Sequence, residues 1–288
     1  MAHFLGEIAK LACVVGLAAI GLDLAYTNAL GRFSDRSVLR RVRHMHGQHY
    51  DYIVVGSSRA LHHVDPAVLE REFGKRGLNL GEQDSSGLDA YRVLRDFLDA
   101  NTADAVFVHV DKEWCQEGSS PLVTSLYAPF VHEVKDPADG RELFGADYPL
   151  YRWLPFYRYV KLGPAIGFRE VMFTLLGKRR PAADGFVPLH GSGFNTNVNM
   201  EQPTFPDRMH PDYARILDLC RERGVSAHFF TSPCHGMSYD ATVLAKHLPG
   251  YRDFSAALPA REYFGDPRHM NAAGAEAFTR LLGEACFR

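Results

Sequence analysis

Short apolar segments alternate with helical patterns along most of the chain. Residues 52–55, 105–110 and 225–231 are apolar runs of the kind found in strands buried on both faces, and residues 77–81 predict a short strand that ends in a loop. Helical patterns lie between and after them, at residues 66–73, 88–98, 213–223 and 272–283. Strands that alternate with helices predict an α/β fold, a three-layer α/β/α sandwich around a mostly parallel, flavodoxin-like sheet.

The N-terminus carries a different pattern. Residues 11–22 contain no charge, and flanking apolar residues extend the run to about 20, which is enough for a helix to cross a bilayer. Glu7, Lys10 and Asp23 interrupt the run. We therefore predict a membrane anchor helix over residues 1–30; the alternatives are a cleaved signal peptide and a buried helix of a soluble protein.

Arginines follow this helix and make residues 31–50 a basic juxtamembrane linker. The positive-inside tendency alone would place the following domain in the cytoplasm, although long domains cross membranes regardless of flanking charge. The same side chains could bind lipid headgroups or a partner. The arginines are Arg32, Arg36, Arg40, Arg41 and Arg43.

Residues 51–288 are predicted to form one domain that is interrupted by an insertion at 115–206. The insertion does not follow the alternation, and residues 148–176 interleave aromatic residues with arginine and lysine. This composition suits a membrane interface, a protein partner or a subdomain packed on the sheet.

Composition narrows the class of protein. The 288 residues are 46% hydrophobic with a net charge of −2, which allows a large core and gives no overall field for nucleic acid. The cysteines are scattered without a CxxC pair, which argues against a disulfide framework and a zinc site, although one bridge remains open. We predict no metal and no cofactor. The five cysteines are Cys13, Cys115, Cys220, Cys234 and Cys286.

Gly56-Ser57-Ser58-Arg59 directly follows the first predicted strand, and a serine at such a turn can be an exposed nucleophile. A serine hydroxyl needs a base, for which histidine is suited near neutral pH, and a carboxylate orients that histidine. Asp266 and His269 lie three residues apart before the last predicted helix. Together they predict a catalytic triad of Ser58, Asp266 and His269.

These segments resemble the SGNH (GDSL-type) hydrolase superfamily. Gly56-Ser57-Ser58 is similar to its first block, Asn79-Leu80-Gly81 to its second, and the segment from Asp266 to His269 to its last. The resemblance implies that Ser58 is the nucleophile and that the N–H groups of Ser58 and Gly81 form the oxyanion hole. The third block, which supplies an asparagine, is missing; its place after residue 110 reads Asp-Lys-Glu-Trp.

The departures look like those of membrane-anchored SGNH-like proteins that work beside membrane-bound O-acyltransferases in polysaccharide and teichoic acid modification. That similarity implies a serine acyltransferase or esterase acting on an extracytoplasmic glycan or an acyl carrier, at the bacterial cytoplasmic membrane. A non-catalytic scaffold or glycan-binding partner and a carbohydrate or lipid esterase stay open. Candidates for substrate binding are Arg59, Asp111, Trp114 and Asn195.

Overall fold

The computed structural model describes residues 1–33, 37–163, 168–176, 183–192, 203–235 and 240–287. The chain forms two compact units. Unit 1 comprises Met1–Arg40 and Pro121–Arg180, and unit 2 comprises Arg41–Ser120 and Pro181–Arg288. The predicted division at residues 30 and 50 stays a prediction, and the N-terminal helix belongs to the same unit as much of the predicted insertion.

Unit 2 is built on a five-stranded sheet with the order β2-β1-β3-β4-β5, and every pairing is parallel. This is the flavodoxin-like doubly wound order, in which ligands bind beyond the carboxyl ends of β1 and β3, where the strand order reverses. Parallel strands buried on both faces need apolar runs, and β1 and β3 supply them. The strands are β1 (His49–Val55), β2 (Gly77–Asn79), β3 (Thr102–His109), β4 (Ser226–Thr231) and β5 (Arg252–Asp253).

Helices cover the sheet of unit 2 and complete the three layers. A core of aromatic and aliphatic side chains, including Tyr52, Phe107 and Phe278, packs where α4 and α13 contact each other. On another part of the sheet α5 packs against α11. The helices with residues in unit 2 are α2 (Val38–Arg43), α3 (Ser58–His63), α4 (Pro66–Phe73), α5 (Gly87–Leu98), α11 (Pro211–Arg223), α12 (Thr242–His247) and α13 (Ala272–Phe287).

The predicted α/β class, parallel sheet and main elements are confirmed. Helix α4 has the predicted bounds, because the Asp65 side chain accepts the Ala67 N–H and Pro66 needs no helical acceptor. Gly224, in the left-handed conformation, ends α11 as expected. The sequence did not reveal α3, which begins at Ser58, or the two-residue strand β5.

Unit 1 joins the N-terminal helix to a set of short helices. The helix α1 (Ala2–Phe33) contacts α10 (Phe168–Leu175) and a 3₁₀ turn at Ala128–Glu133. One of its apolar clusters contains Leu30, Tyr159 and Val171. Among the residues that the structure describes, the other α-helices of this unit are α6 (Pro121–Tyr127), α7 (Pro137–Phe144), α8 (Tyr148–Trp153) and α9 (Tyr157–Lys161).

Two glycines let the backbone pack closely around α3. Gly56 has φ +138°, and a Cβ there would lie 2.8 Å from the Cβ of His109. A Cβ on Gly81 would lie 2.5 Å from the backbone nitrogen of Leu61 in α3. The loop after β2 can therefore approach α3 only with glycine at position 81.

Substitution of Gly81→Ala should destabilise the protein by about 1–3 kcal/mol, because backbone atoms of α3 cannot move aside as a flexible side chain can. Gly265→Ala is the matched control, since its Cβ would lie 3.8 Å from its nearest neighbours. Urea unfolding of both variants in detergent measures the difference. Equal stability of G81A and G265A would show that the loop does not need this close approach.

Candidate active site

Ser58, His269 and Asp266 come together at the carboxyl end of the sheet. The hydroxyl of Ser58 lies 2.8 Å from Nε2 of His269. On the other side of the ring, Nδ1 of His269 lies 2.9 Å from Oδ2 of Asp266. The order and the contacts are those that a serine nucleophile, its base and the base's orienting carboxylate require.

A tight turn presents Asp266 and His269 on the same side. Oδ1 of Asp266 accepts the backbone N–H of Arg268 at 2.8 Å and of His269 at 2.9 Å. Partial burial acts to raise the pKa of Asp266, but the hydrogen bonds from His269 and the backbone outweigh it and hold this pKa below its usual range. Asp266 is therefore ionised at neutral pH and stabilises the Nδ1–H tautomer of His269.

His63 fixes the backbone next to His269. Its Nε2 accepts the backbone N–H of Met270 at 3.0 Å, so its Nδ1 carries the proton and donates to the hydroxyl of Ser232 at 2.8 Å. Complete burial, followed by the nearby Arg59, holds the pKa of His63 well below its ordinary value. A neutral His63 is the form that these two hydrogen bonds need.

Arg59, the neighbour of the candidate nucleophile, is buried and joins three strand ends. Its guanidinium donates to Oδ2 of Asp111, after β3, and to the backbone carbonyls of Ser232 and Pro233, after β4. Arg59 itself lies in α3, which follows β1. The guanidinium therefore holds Ser58 in place relative to the ends of β3 and β4.

Glu113 and Asp111 form a buried pair of acids in the loop after β3. Burial, and then the charge of Asp111, raise the pKa of Glu113 well above its ordinary value. Burial acts to raise the pKa of Asp111 too, but the Arg59 guanidinium and Glu113 reverse this and lower it. These opposite shifts assign the shared proton to Glu113, which would donate it to Asp111. Without that proton, Oε2 of Glu113 and Oδ1 of Asp111 have no partner among the described residues.

A cavity of about 220 Å³ opens beside these groups. It is large enough for a small acyl group and part of an alcohol, and both the nucleophile and its base lie on its wall. Ser57, the Gln83–Asp84 segment and Arg268 add polar groups to it. The ionisable residues of its wall include Arg59, Asp84, Asp111, Lys112, Glu113 and Arg268.

Three other predicted site residues, Arg59, Asp111 and Gly81, do not have the surroundings that their predicted roles require. Arg59 and Asp111 reach the cavity, but as an ion pair with each other. The Gly81 N–H donates to Oδ1 of Asn79 at 2.9 Å, and Gly81 is not on the described wall of the cavity. Its predicted oxyanion role therefore has no support from this geometry.

Trp114 is buried away from that cavity. Its ring stacks on Tyr213, and its Nε1–H donates to the carbonyl of Pro206 at 3.1 Å. It borders a much smaller cavity of about 30 Å³. Asn195 lies outside the described residues.

Sequence reasoning missed Glu113 and His63. Glu113 stands two residues after Asp111, in the segment that replaces the third block, and this position was the available signal. His63 is the last residue of α3 and belongs to none of the motifs described above. Its role depends on Met270, which no local pattern connects to it.

A binding site for a divalent cation is the alternative interpretation of the acids after β3. His109, Asp111 and Glu113 each offer a ligand atom, and these atoms lie within 4.8 Å of one another. Arg59 already supplies a positive charge to Asp111, and burial lowers the pKa of His109 to about 3. The charge of the cluster is therefore balanced by the guanidinium and one proton. We assign an ion pair and a neutral acid to this group.

Comparisons with known proteins add little to this geometry. No protein-family model matches the chain, and no curated protein matches it. Among solved structures, a protein from Streptococcus pneumonia whose description names platelet activating factor matches at 11% identity and a TM-score of 0.37, over 97% of this chain and 98% of that chain. A similarity this low does not bear on function, which is assigned from the side chains.

The Glu113 proton predicts a pH dependence of stability. A raised pKa in the folded state means that the stability contributed by the neutral acid is complete below the ordinary pKa of 4.5 and is lost as the pH rises. Glu113→Gln keeps the donor without the titration. The free energy of unfolding of E113Q should therefore increase relative to the wild type between about pH 5 and pH 8.

Urea unfolding of both proteins at several pH values measures this difference. Glu117→Gln is the control, because Glu117 is exposed and pairs only with the exposed Arg208 among the described residues. A constant difference between E113Q and the wild type across this range would mean that Glu113 is ionised in the folded protein.

Proposed function

We propose that the chain is a serine acyltransferase or acylesterase of the SGNH type. The observation that carries the proposal is the contact chain from the Ser58 hydroxyl through the His269 ring to the Asp266 carboxylate. It stands on the wall of a cavity at the switch point of a doubly wound sheet. The position of Ser58 at the end of a strand, the order of the three side chains and the ionised state of Asp266 all suit nucleophilic acyl transfer.

In the first half of the reaction Ser58 attacks the carbonyl carbon of an acyl ester. As the Oγ–C bond forms, Nε2 of His269 takes the hydroxyl proton, and Asp266 stabilises the resulting imidazolium. The negative charge moves to the carbonyl oxygen, and the Ser58 N–H is a proposed donor to it. The tetrahedral intermediate collapses when the leaving alkoxide departs with the proton from His269, leaving an acyl ester on Ser58.

In the second half a hydroxyl group takes the acyl chain. His269 removes the proton from an acceptor alcohol or from water, whose oxygen attacks the acyl-enzyme carbonyl. The proton then returns to Oγ of Ser58 as the ester bond to the enzyme breaks. A glycan hydroxyl as acceptor makes the protein a transferase, and water makes it an esterase.

We propose that α1 anchors this activity in the bacterial cytoplasmic membrane. The segment Ala2–Gly31 is long and apolar enough to cross a bilayer, with a mean hydropathy of 2.0 in its best window and little of it buried. A signal sequence and the core helix of a soluble protein can be equally long and apolar, and the exposure of α1 argues against the core helix. An extracytoplasmic glycan or acyl carrier as substrate and a membrane-bound O-acyltransferase as partner complete the proposal.

A non-catalytic scaffold is the second candidate. The Gly81 N–H is engaged by Asn79, and the segment after β3 contains acids in place of an asparagine donor. A site with too few oxyanion donors would bind a glycan or an acyl group without turning it over. Reactivity of Ser58 separates this candidate from the enzyme.

The triad predicts that a fluorophosphonate will form a covalent adduct at Ser58. Ser58→Ala should abolish the adduct, and Asp266→Asn should slow its formation by about 10⁴-fold because the tautomer of His269 is no longer enforced. Ser57→Ala, one residue away, is the matched control and should keep its label. Intact and peptide mass spectrometry measure the adduct.

Absence of an adduct in folded wild-type protein would favour the scaffold. An adduct in S58A that equals the wild type would show that another residue is the nucleophile. Circular dichroism of each variant establishes that the fold is retained.

A further inference from the structure

Unit 1 exposes many large apolar side chains outside α1. They lie on α8, α9 and α10 and in the segments beside them, where a water-soluble domain would carry polar residues. Trp153 is 76% exposed, Val160 67% and Phe168 68%. We call this set the apolar surface; it comprises Leu150, Trp153, Leu154, Val160, Phe168, Met172, Leu175 and Leu176.

The apolar surface is attached to the C-terminal third of α1. Phe156, two residues after Leu154, donates its backbone N–H to Oδ2 of Asp23 at 2.7 Å. The rings of Tyr26 and Phe156 meet edge to face at 5.1 Å. Up to Leu22 the side chains of α1 are almost all exposed, and packing against the rest of unit 1 begins at Asp23.

The length of α1 determines how deep in a bilayer the contacts of Asp23 and Tyr26 with Phe156 would lie. The charge-free part that begins at Leu11 ends before Asp23, after about 12 residues or ~18 Å of helix. A hydrocarbon core about 30 Å thick needs about 20 residues, which extends the span from Leu11 to Leu30. The last third of that span is the part of α1 that carries the attached segments.

The charged and hydroxyl groups at this depth pair with one another within unit 1, and only Nε of Arg158 lacks a partner among these groups. Arg158 donates to Oδ1 of Asp23 at 2.7 Å and to the hydroxyl of Thr27 at 2.9 Å. The Tyr159 hydroxyl lies 2.7 Å from the same Thr27 oxygen. Charges that are mutually paired and buried are the form in which ionised side chains occur inside membranes.

The exposed side chains of α10 that the structure describes are apolar as well. Phe168, Met172 and Leu175 have the spacing of one helix face and are exposed, whereas Val171 is buried in the cluster with Leu30. Apolar side chains that face both their own unit and its surroundings, as these four do, suit hydrocarbon. Arg152, whose guanidinium lies 5.6 Å from the ring of Trp153, supplies a basic group of the kind found beside interfacial tryptophans.

We propose that the apolar surface rests in the lipid bilayer, in the leaflet that contains the C-terminal end of α1. The protein then holds the membrane by a spanning helix and by a second, interfacial contact. The Asp23–Arg158 pair joins the two contacts. The proposal rests on the membrane anchoring by α1 proposed above, and it is independent of the reactivity of Ser58.

Tryptophan fluorescence tests the proposal directly, because the chain has two tryptophans and Trp114 is only 1% exposed. The full chain is reconstituted into phosphatidylcholine vesicles with and without brominated acyl chains. Bromine quenches a tryptophan that it contacts, so wild-type emission should fall in the brominated vesicles. Trp153→Phe is the matched control and should lose that response.

A wild-type emission that brominated lipid leaves unchanged and aqueous acrylamide quenches would overturn the proposal; this surface would then face water or a protein partner. Equal quenching in the wild type and W153F would overturn it too. Flotation of the vesicles and resistance to alkaline extraction report on α1 separately. Protein that floats and resists extraction without Trp153 quenching keeps the anchor and loses the second contact.

Discussion

The buried guanidinium of Arg59 is the interaction on which the candidate active site depends. It lies beside Ser58 and bonds to Asp111 after β3 and to two carbonyls after β4. Breaking a buried pair by removing one partner typically costs about 3–5 kcal/mol, because an uncompensated charge is left behind. The same guanidinium lowers the pKa of Asp111, and the ionised Asp111 helps to keep the proton on Glu113. One side chain thus fixes both the geometry and the charge of the cavity wall.

The turn at Asp266–Met270, near the C-terminal end of the sequence, supplies the other residues of the candidate site. His63 in α3 receives the N–H of Met270, and Asp266 receives the N–H groups of Arg268 and His269. The helix that begins at the candidate nucleophile therefore also positions the candidate base. This arrangement explains how a serine near the start of unit 2 and a histidine near its end maintain a 2.8 Å contact.

Local patterns were sufficient for most of the fold, and they also pointed to Ser58, Asp266 and His269, whose catalytic roles stay a prediction. Buried parallel strands require apolar runs, Asp65 with Pro66 starts a helix, and Gly224 ends one, so these elements were predictable. The partners of buried polar groups were not. The Gly81 N–H donates to Asn79, and Arg59 donates to Asp111 and to carbonyls after β4; only the folded chain creates these contacts. The apolar surface of unit 1 was suggested by composition, but its attachment at Asp23 depends on Arg158, far along the chain.

The central claim is that Ser58 forms an acyl-enzyme with His269 as its base. Rapid mixing of the protein with p-nitrophenyl acetate, followed by acid quenching and peptide mass spectrometry, tests it most directly. The account predicts a burst of nitrophenol of about one equivalent per chain, an acetyl group on the peptide that contains Ser58, and neither in His269→Ala. Steady nitrophenol release without a burst, or acetylation that does not depend on His269, would contradict it.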